Sequence, residues 1–352
     1  MGVRSILAVL LLAVPWLGAA GHAQLAPDPD APPVSNAPAQ PDTDKSVATF
    51  KTSTSLVDLF FTVRNKSGEL VPHLTQSDCA VTENKVPQRL KNFTALTDQP
   101  LTLGILLDTS GSQYRLLPME QDAGSQFINR VMRPKDEAFL VSFDVNVDLL
   151  QDYTNNPHLL ARAFQKAQIN DAGGNGSGIP GLGGGPVPTV GDPKGTLLYD
   201  AIYLAATEKL NQQTGRKAMI ILTDGEDEGS KTKISEAIAA AQKNDVIVYF
   251  ILLADKEVYW DQDMWYTGYG YAKKIADETG GRVIDVGNNG PKLQAAFEQI
   301  EDELRTQYLA SYVSTDNKLD GTFRRIAVNC GEGTKVQVRH GYFAIAQQDD
   351  GQ

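Results

Sequence analysis

Cysteine and histidine are scarce: the 352 residues include two Cys and four His. No Cys-x-x-Cys and no His-Glu-x-x-His occurs, so the common thiolate and imidazole zinc sites lack their ligands. No Gly-x-Ser-x-Gly elbow occurs either. His22 falls in the N-terminal leader, and His73, His158 and His340 stand outside the chain's apolar α/β core, so a serine hydrolase would lack its base. Long basic runs are missing as well. With 32 Lys+Arg against 43 Asp+Glu, the net charge is -11, which argues against nucleic acid, whose binding depends on phosphate neutralisation. Beyond the leader, no apolar stretch approaches the roughly 20 residues of a membrane helix. These absences point away from an enzyme and toward chemistry carried by carboxylate and hydroxyl oxygens.

The first 23 residues read as a signal peptide. Arg4 supplies the positive charge, Ile6 to Leu17 the apolar core, and Gly21-His22-Ala23 the small-residue cleavage signal. Cleavage after Ala23 gives a secreted or periplasmic protein with no membrane span; retention of the leader would instead leave an N-terminal anchor. Residues 24–46, rich in Pro, Asp and Ala, read as a disordered linker.

Residues 47–98 form an N-terminal β segment. Val57, Leu59, Phe61 and Val63 alternate with Asp58, Thr62 and Arg64, Asn65-Lys66-Ser67-Gly68 marks a turn, and short strands follow around Cys79–Val81 and Gln88–Ala95. Residues 307–346 alternate again, over Tyr308–Val313, Phe323–Cys330 and Lys335–Tyr342; residues 347–352 read as a disordered tail. Each segment is too small for its own core. The economical reading joins both into one small β-sandwich-like domain, with residues 99–306 inserted between them.

That inserted region alternates apolar runs with helical patterns. Strands are expected at Leu101–Leu107, Glu137–Phe143, Ala218–Thr223, Val246–Leu252 and Arg282–Val286. Helices are expected at Gln113–Met132, Pro157–Ala167, Thr196–Gln212, Lys233–Lys243 and Gly270–Thr279, and Leu293, Phe297, Ile300 and Leu304 mark the apolar stripe of a last one. Alternation of this kind predicts an α/β fold, a doubly wound and mostly parallel sheet covered on both faces.

The chemistry sits where two of these runs end. Asp108-Thr109-Ser110-Gly111-Ser112 follows the first run directly, placing a carboxylate and two hydroxyls at alternate positions. Thr196 opens a helical pattern, and Asp224 closes the run Ala218–Thr223. Sites in open α/β sheets form at the carboxyl ends of strands. Mg2+ takes oxygen ligands and usually keeps several waters, so these three segments together can furnish a cation site. Read as residues alone, Asp, Ser and Gly after a strand are also ordinary turn formers.

Asp-x-Ser-x-Ser, a distant Thr before a helix and a distant strand-ending Asp resemble the metal-ion-dependent adhesion site of von Willebrand factor type A domains. Asp108, Ser110, Ser112, Thr196 and Asp224 match in type and order, and the resemblance covers roughly Pro100 to Thr306. Val63-Arg64-Asn65-Lys66-Ser67-Gly68, Leu74-Thr75-Gln76-Ser77-Asp78 and His340-Gly341-Tyr342-Phe343-Ala344 are similar to secreted bacterial proteins called VWFA-related, abundant in Acidobacteria. The resemblance implies a Rossmann-like sheet and a bound Mg2+, with Mn2+ or Ca2+ as alternatives. It implies direct coordination by the Ser110 and Ser112 hydroxyls, direct or water-mediated coordination by Thr196, and coordinated waters held by Asp108 and Asp224. It further implies a protein ligand that offers an acidic residue to the metal. The function expected is a cation-dependent adhesion or interaction module. The alternative is a structural or accessory subunit of an envelope complex or enzyme, with a constitutive or vestigial metal.

Around this core, Asp200 lies one helical turn past Thr196 and is expected to support the site, whereas Asp227 reads as part of a solvated acidic loop with Glu226 and Glu228. Residues 169–195 form a Gly- and Pro-rich insertion that ends at Thr196 and is expected to hang over the metal face; a phosphate-binding role lacks its Gly-Lys-Ser/Thr. Trp260, Trp265, Tyr266, Tyr269 and Tyr271 read either as a loop packed by its own aromatics or as a contact patch. Cys79 and Cys330 form either one disulfide or two buried thiols.

Overall fold

Strand periodicity at the start of the described chain becomes β1 (Leu56–Arg64), followed by β2 (Ala80–Glu83), β3 (Val86–Gln88) and β4 (Leu90–Ala95). The computed structural model describes residues 56–97, 99–169, 195–254 and 266–345. The leader, the linker, most of the Gly-rich insertion, Trp260 and Trp265, and the C-terminal tail lie outside the described residues.

After β4 the chain enters the α/β region. In order come β5 (Leu101–Asp108), α1 (Leu117–Val131), β6 (Glu137–Phe143), β7 (Val147–Thr154), α2 (Pro157–Lys166), α3 (Leu198–Leu204), β8 (Arg216–Thr223), α4 (Ile234–Lys243), β9 (Val246–Leu252), α5 (Gly268–Thr279), β10 (Val283–Asp285) and α6 (Gly290–Arg305). The six strands form one sheet in the order β10-β9-β8-β5-β6-β7. All neighbours are parallel except the edge pair β6–β7. Every residue of β5, β8 and β9 is buried, as a parallel sheet covered on both faces requires. Leu103, Ile105 and Leu107 pack with Phe127, Phe164, Phe297 and Ile300 from α1, α2 and α6. Leu106, Met219, Ile221 and Phe250 pack with Ile202, Ala237, Ala241 and Ile275 from α3, α4 and α5 on the opposite face. Each such apolar side chain contributes about 1.5–3 kcal/mol on burial, so the strand ends project from a stiff frame.

Two helices differ from the sequence reading. The first α-helix begins at Leu117 rather than Gln113, after a 3-10 turn at Gly111–Gln113. Pro118, lacking an amide proton, fits only the opening turn of a helix. The pattern read as one helix over Thr196–Gln212 is α3, then a π-type turn at Ala205–Lys209 and a 3-10 turn at Leu210–Gln212.

The remaining strands are β11 (Tyr308–Val313), β12 (Phe323–Asn329), β13 (Lys335–Val338) and β14 (Gly341–Phe343). Two four-stranded antiparallel sheets result, β13-β1-β11-β4 and β14-β12-β2-β3. Each mixes strands from the two ends of the chain, and their facing side chains share one core that includes Leu59, Phe61, Val81, Tyr308, Tyr312 and Ile326. Cys79 and Cys330 are joined there by a disulfide. Inside this sandwich the buried Glu83 carboxylate accepts from the Tyr312 and Tyr342 hydroxyls and from Ser314, and pairs with Arg324.

Candidate metal centre

The order β10-β9-β8-β5-β6-β7 places a reversal at β5. The chain leaves β5 toward β6 on one side, while β8, β9 and β10 extend on the other. Ligand crevices in open α/β sheets open at such switch points, outside the carboxyl ends of the strands. Asp108 ends β5, and Asp224 follows directly on β8.

Asp108 is fully buried. One carboxylate oxygen accepts from the Ser110 amide at 2.9 Å, and the other from the Thr223 hydroxyl at 2.6 Å, which ties the end of β5 to that of β8. The Ser112 hydroxyl donates to Asp224 Oδ2 at 2.6 Å and lies 3.1 Å from the Ser110 hydroxyl. Asp224 Oδ1 accepts from the Glu226 amide at 3.1 Å. Four of the five residues picked out by the sequence thus form one hydrogen-bonded group.

Thr196 reaches the same end of the sheet by a different route. Its amide and carbonyl exchange 2.9 Å bonds with Glu228, and the next amide, Leu197, donates to the Asp144 carbonyl. Asp144 follows β6, and its carboxylate accepts from the Thr109 hydroxyl at 2.8 Å. Among the described residues, the Thr196 hydroxyl makes no hydrogen bond to the other four. Asp144 escaped the sequence reading, although it bears the signal that marked Asp108 and Asp224: an acid at the end of an apolar strand. Thr223 was absorbed into its strand pattern.

The loop after Asp224 also departs from expectation. Gly225 has φ +86, and a Cβ there would meet the Gly268 carbonyl oxygen at 2.7 Å. Glycine therefore lets the β8 exit lie against the start of α5. Glu226 is not merely solvated: its carboxylate accepts from the amides of Thr267 and Gly268 and from the Thr267 hydroxyl, capping α5. Asp227 accepts from the Tyr199 amide at 3.0 Å and the Ser230 hydroxyl at 2.6 Å, holding the first turn of α3. Asp200 accepts from the amides of Lys231 and Thr232, so it braces that loop rather than touching the Asp108 group.

Electrostatically the group is an acid cluster. Burial first, and the Asp224 charge second, push the Asp108 carboxyl up to about 8. Among the described residues, no Lys or Arg pairs with Asp108. Glu120 and Gln113 on the same stretch of chain are both fully buried, and among the described residues Glu120 Oε1, Glu120 Oε2 and Gln113 Oε1 lack hydrogen-bond partners. Acidic and hydroxyl oxygens gathered in this way fit a hard divalent cation. Asp108, Ser110, Ser112 and Asp224, with Thr196 from the neighbouring loop, are the residues that would hold it.

No family model and no curated relative matches the chain. Among solved structures it is similar to BatB from Bacteroides thetaiotaomicron, at 18% identity over 58% of this chain and 99% of that one, with TM-score 0.43. It is similar to a von Willebrand factor type A protein from Catenulispora acidiphila, at 12% identity over 84% of this chain and 76% of that one, with TM-score 0.44. A third is proximal thread matrix protein 1 of the mussel byssus with a zinc-occupied MIDAS motif, at 14% identity, 63% of this chain and 49% of that one, and TM-score 0.45. This chain therefore spans about half the length of the mussel protein. The reading of the site rests on its own residues.

Proposed function

We propose that Asp108, Ser110, Ser112, Thr196 and Asp224 hold a divalent cation, foremost Mg2+, and that the chain uses it to bind a protein partner bearing an exposed Asp or Glu. The observation that carries this reading is the meeting of two strand-end acids and two serine hydroxyls at the switch point, with Ser112 Oγ 2.6 Å from Asp224 Oδ2. A bound cation would supply an electrophilic position for a partner's carboxylate oxygen. The chain's own groups fix the cradle. Thr223 and the Ser110 amide orient Asp108, and the Glu226 amide orients Asp224. Ser110 and Ser112 are ligands in this reading, not nucleophiles, since their hydroxyls contact each other and Asp224 rather than a histidine.

Three exposed tyrosines favour a macromolecular partner over simple cation storage. Tyr114 is 67% exposed two residues after Ser112, and Tyr269 and Tyr271 are exposed in the first turn of α5, which Glu226 caps. Tyrosine is enriched in protein interfaces. Secretion or periplasmic residence is proposed from the leader. Among the described residues, no helix is long and apolar enough to cross a membrane.

Calorimetry with Mg2+ and Mn2+ tests the site. Saturable binding is expected for the unaltered chain and its loss for Asp224→Ala, with an unchanged circular dichroism spectrum. Equal affinity in both proteins refutes the assignment. A pulldown from envelope extract in Mg2+, repeated with chelator, tests the function: partner release by chelator is expected, and retention in both conditions supports the assembly-subunit reading instead.

A further inference from the structure

Between β13 and the turn that joins α5 to β10, a cleft of about 450 Å3 opens, lined by Arg64, Tyr269, Lys273, Arg282, Lys335 and Gln337 among others. A volume of that size suits a small ligand. Strand periodicity brings two of the cations together. Arg64 and Lys335 are register partners in the antiparallel β1–β13 pair. Their neighbours Val63 and Val336 pack into the sandwich core, so Arg64 and Lys335 share the opposite face, toward the cleft. Arg282 arrives from the α/β region. A Cβ at Gly281 would collide with the Val248 carbonyl, so glycine lays the chain against β9. The Arg282 carbonyl then accepts from the Phe250 amide at 2.9 Å.

The charges in this cleft do not balance. Arg64 Nη2 and Arg282 Nη1 converge on a single oxygen, Glu303 Oε1, at 2.5 and 2.8 Å. Glu303, on α6, is fully buried, and its other oxygen accepts from the Gln337 side chain at 3.2 Å. One carboxylate therefore serves two guanidiniums. Among the described residues, the Arg282 side chain donates nowhere else, the Arg64 side chain adds only the Gly68 carbonyl, and Lys335 makes no ion pair. Asp277 also lines the cleft, but Lys273 already holds it at 2.6 Å. Arg64, Arg282 and Lys335 against Glu303 leave an excess of two positive charges, in a chain whose net charge is -11. Like charges directly opposite in a β ladder are destabilising, and Arg64 with Lys335 is such a pair.

We propose that this cleft is a second ligand site, which takes a small molecule bearing at least two acid groups, phosphoryl or carboxylate. Arg282 and Lys335 contact the ligand, and Arg64, held by Glu303, adds charge beside them. Guanidinium and ammonium groups carry five and three N–H donors, most of them unused here. Arginine can also meet a carboxylate or phosphate through two parallel bonds. The cleft lies beside the start of β10, whereas the candidate cation site lies at the carboxyl ends of β5 and β8. The inference therefore does not rest on the cation site.

Calorimetry on the full chain in metal-free buffer tests this, with inorganic pyrophosphate and succinate as probes and acetate as the single-acid control. Saturable binding of pyrophosphate or succinate is expected, about tenfold or more tighter than acetate, the worth of one further charge-assisted bond. The tighter of the two probes tells a phosphoryl ligand from a dicarboxylate. Lys335→Gln breaks no ion pair and is expected to weaken binding about tenfold, while the ligand-free variant melts at or above the unaltered temperature because a like-charge pair is gone. Arg282→Gln, which leaves Glu303 paired with Arg64, is expected to weaken binding at least as much. Lys166→Gln, at an exposed position on α2, should leave the affinity unchanged. Absence of saturable binding by both probes, or equal weakening in Lys166→Gln and Lys335→Gln, shows diffuse charge attraction only and overturns the proposal.

Discussion

Asp108 is where the residue-scale chemistry is sharpest. Buried beside Asp224, it holds its proton up to about 8 against an ordinary value of 3.8. The bonds from Ser110 and Thr223 pull the other way but do not offset burial. A folded-state value above the unfolded one means that the folded chain binds the proton more tightly. The associated stability is complete below about pH 4 and is lost as pH rises through about 8. The cation-free protein is therefore expected to weaken, by up to about 1.4 kcal/mol per pH unit, across that window. Asp108→Asn should flatten the trend, and saturating Mg2+ should suppress it, because a cation favours the carboxylate. Urea midpoints at several pH values, in chelator and in Mg2+, measure this directly; identical slopes for Asp108→Asn and the unaltered chain would contradict it.

At the scale of elements, the turn between β8 and α5 links the candidate site to a helix end. Glu226 supplies an acceptor to three donors at the start of α5, where negative charge also meets the positive end of the helix dipole. Glu226→Ala is expected to cost about 1 kcal/mol, the typical loss for an N-terminal cap. Amide exchange in the first turn of α5 should accelerate, and Mg2+ affinity should fall as the Asp224–Gly225–Glu226 turn loosens. Unchanged exchange at Gly268 and Tyr269 would sink this account.

The same elements show what could be read in advance. Leu101–Leu107 and Ala218–Thr223 were legible because strands buried on both faces leave uninterrupted apolar runs, and the acids that follow them stand out by contrast. β7 was not legible: Val147–Thr154 is an edge strand of half-buried and exposed residues, so Asp148, Gln151 and Asp152 interrupt its apolar pattern. The roles of Glu226 and Asp227 were also hidden, because their partners lie on α5 and α3, remote in sequence. Glu120 was hidden for a different reason. One acid in an amphipathic helical pattern looks like a solvated position until the turn preceding Pro118 sets its direction.

On the scale of the molecule, the two ends of the central sheet have separate duties. The chain enters β5 from β4 and leaves α6 for β11, so both connections to the sandwich lie at the amino ends of the parallel strands. Arg216, at the start of β8, clamps them: its buried guanidinium donates to the carbonyls of Leu96, Gln99 and Leu304 and to the Gln307 side chain. Asp136 adds a second brace, accepting from the Leu101 amide at 2.9 Å and pairing with Arg305. The candidate cation site occupies the carboxyl ends of the same strands, facing away from the sandwich. The Cys79–Cys330 disulfide spans a sequence separation of 251 and encloses the whole α/β region. Restricting so long a loop in the unfolded chain is worth about 5 kcal/mol on the chain-entropy model. Reduction should therefore lower the melting temperature substantially, by about 10 °C, while Mg2+ affinity, measured well below the transition, stays the same because the candidate site lies at the opposite ends of the strands. Mass spectrometry after alkylation of the folded, unreduced protein should find no free thiol. Two alkylated cysteines would remove the bridge from the account, and a reduced protein that keeps its melting temperature but loses Mg2+ would show that the two ends of the sheet are coupled rather than independent.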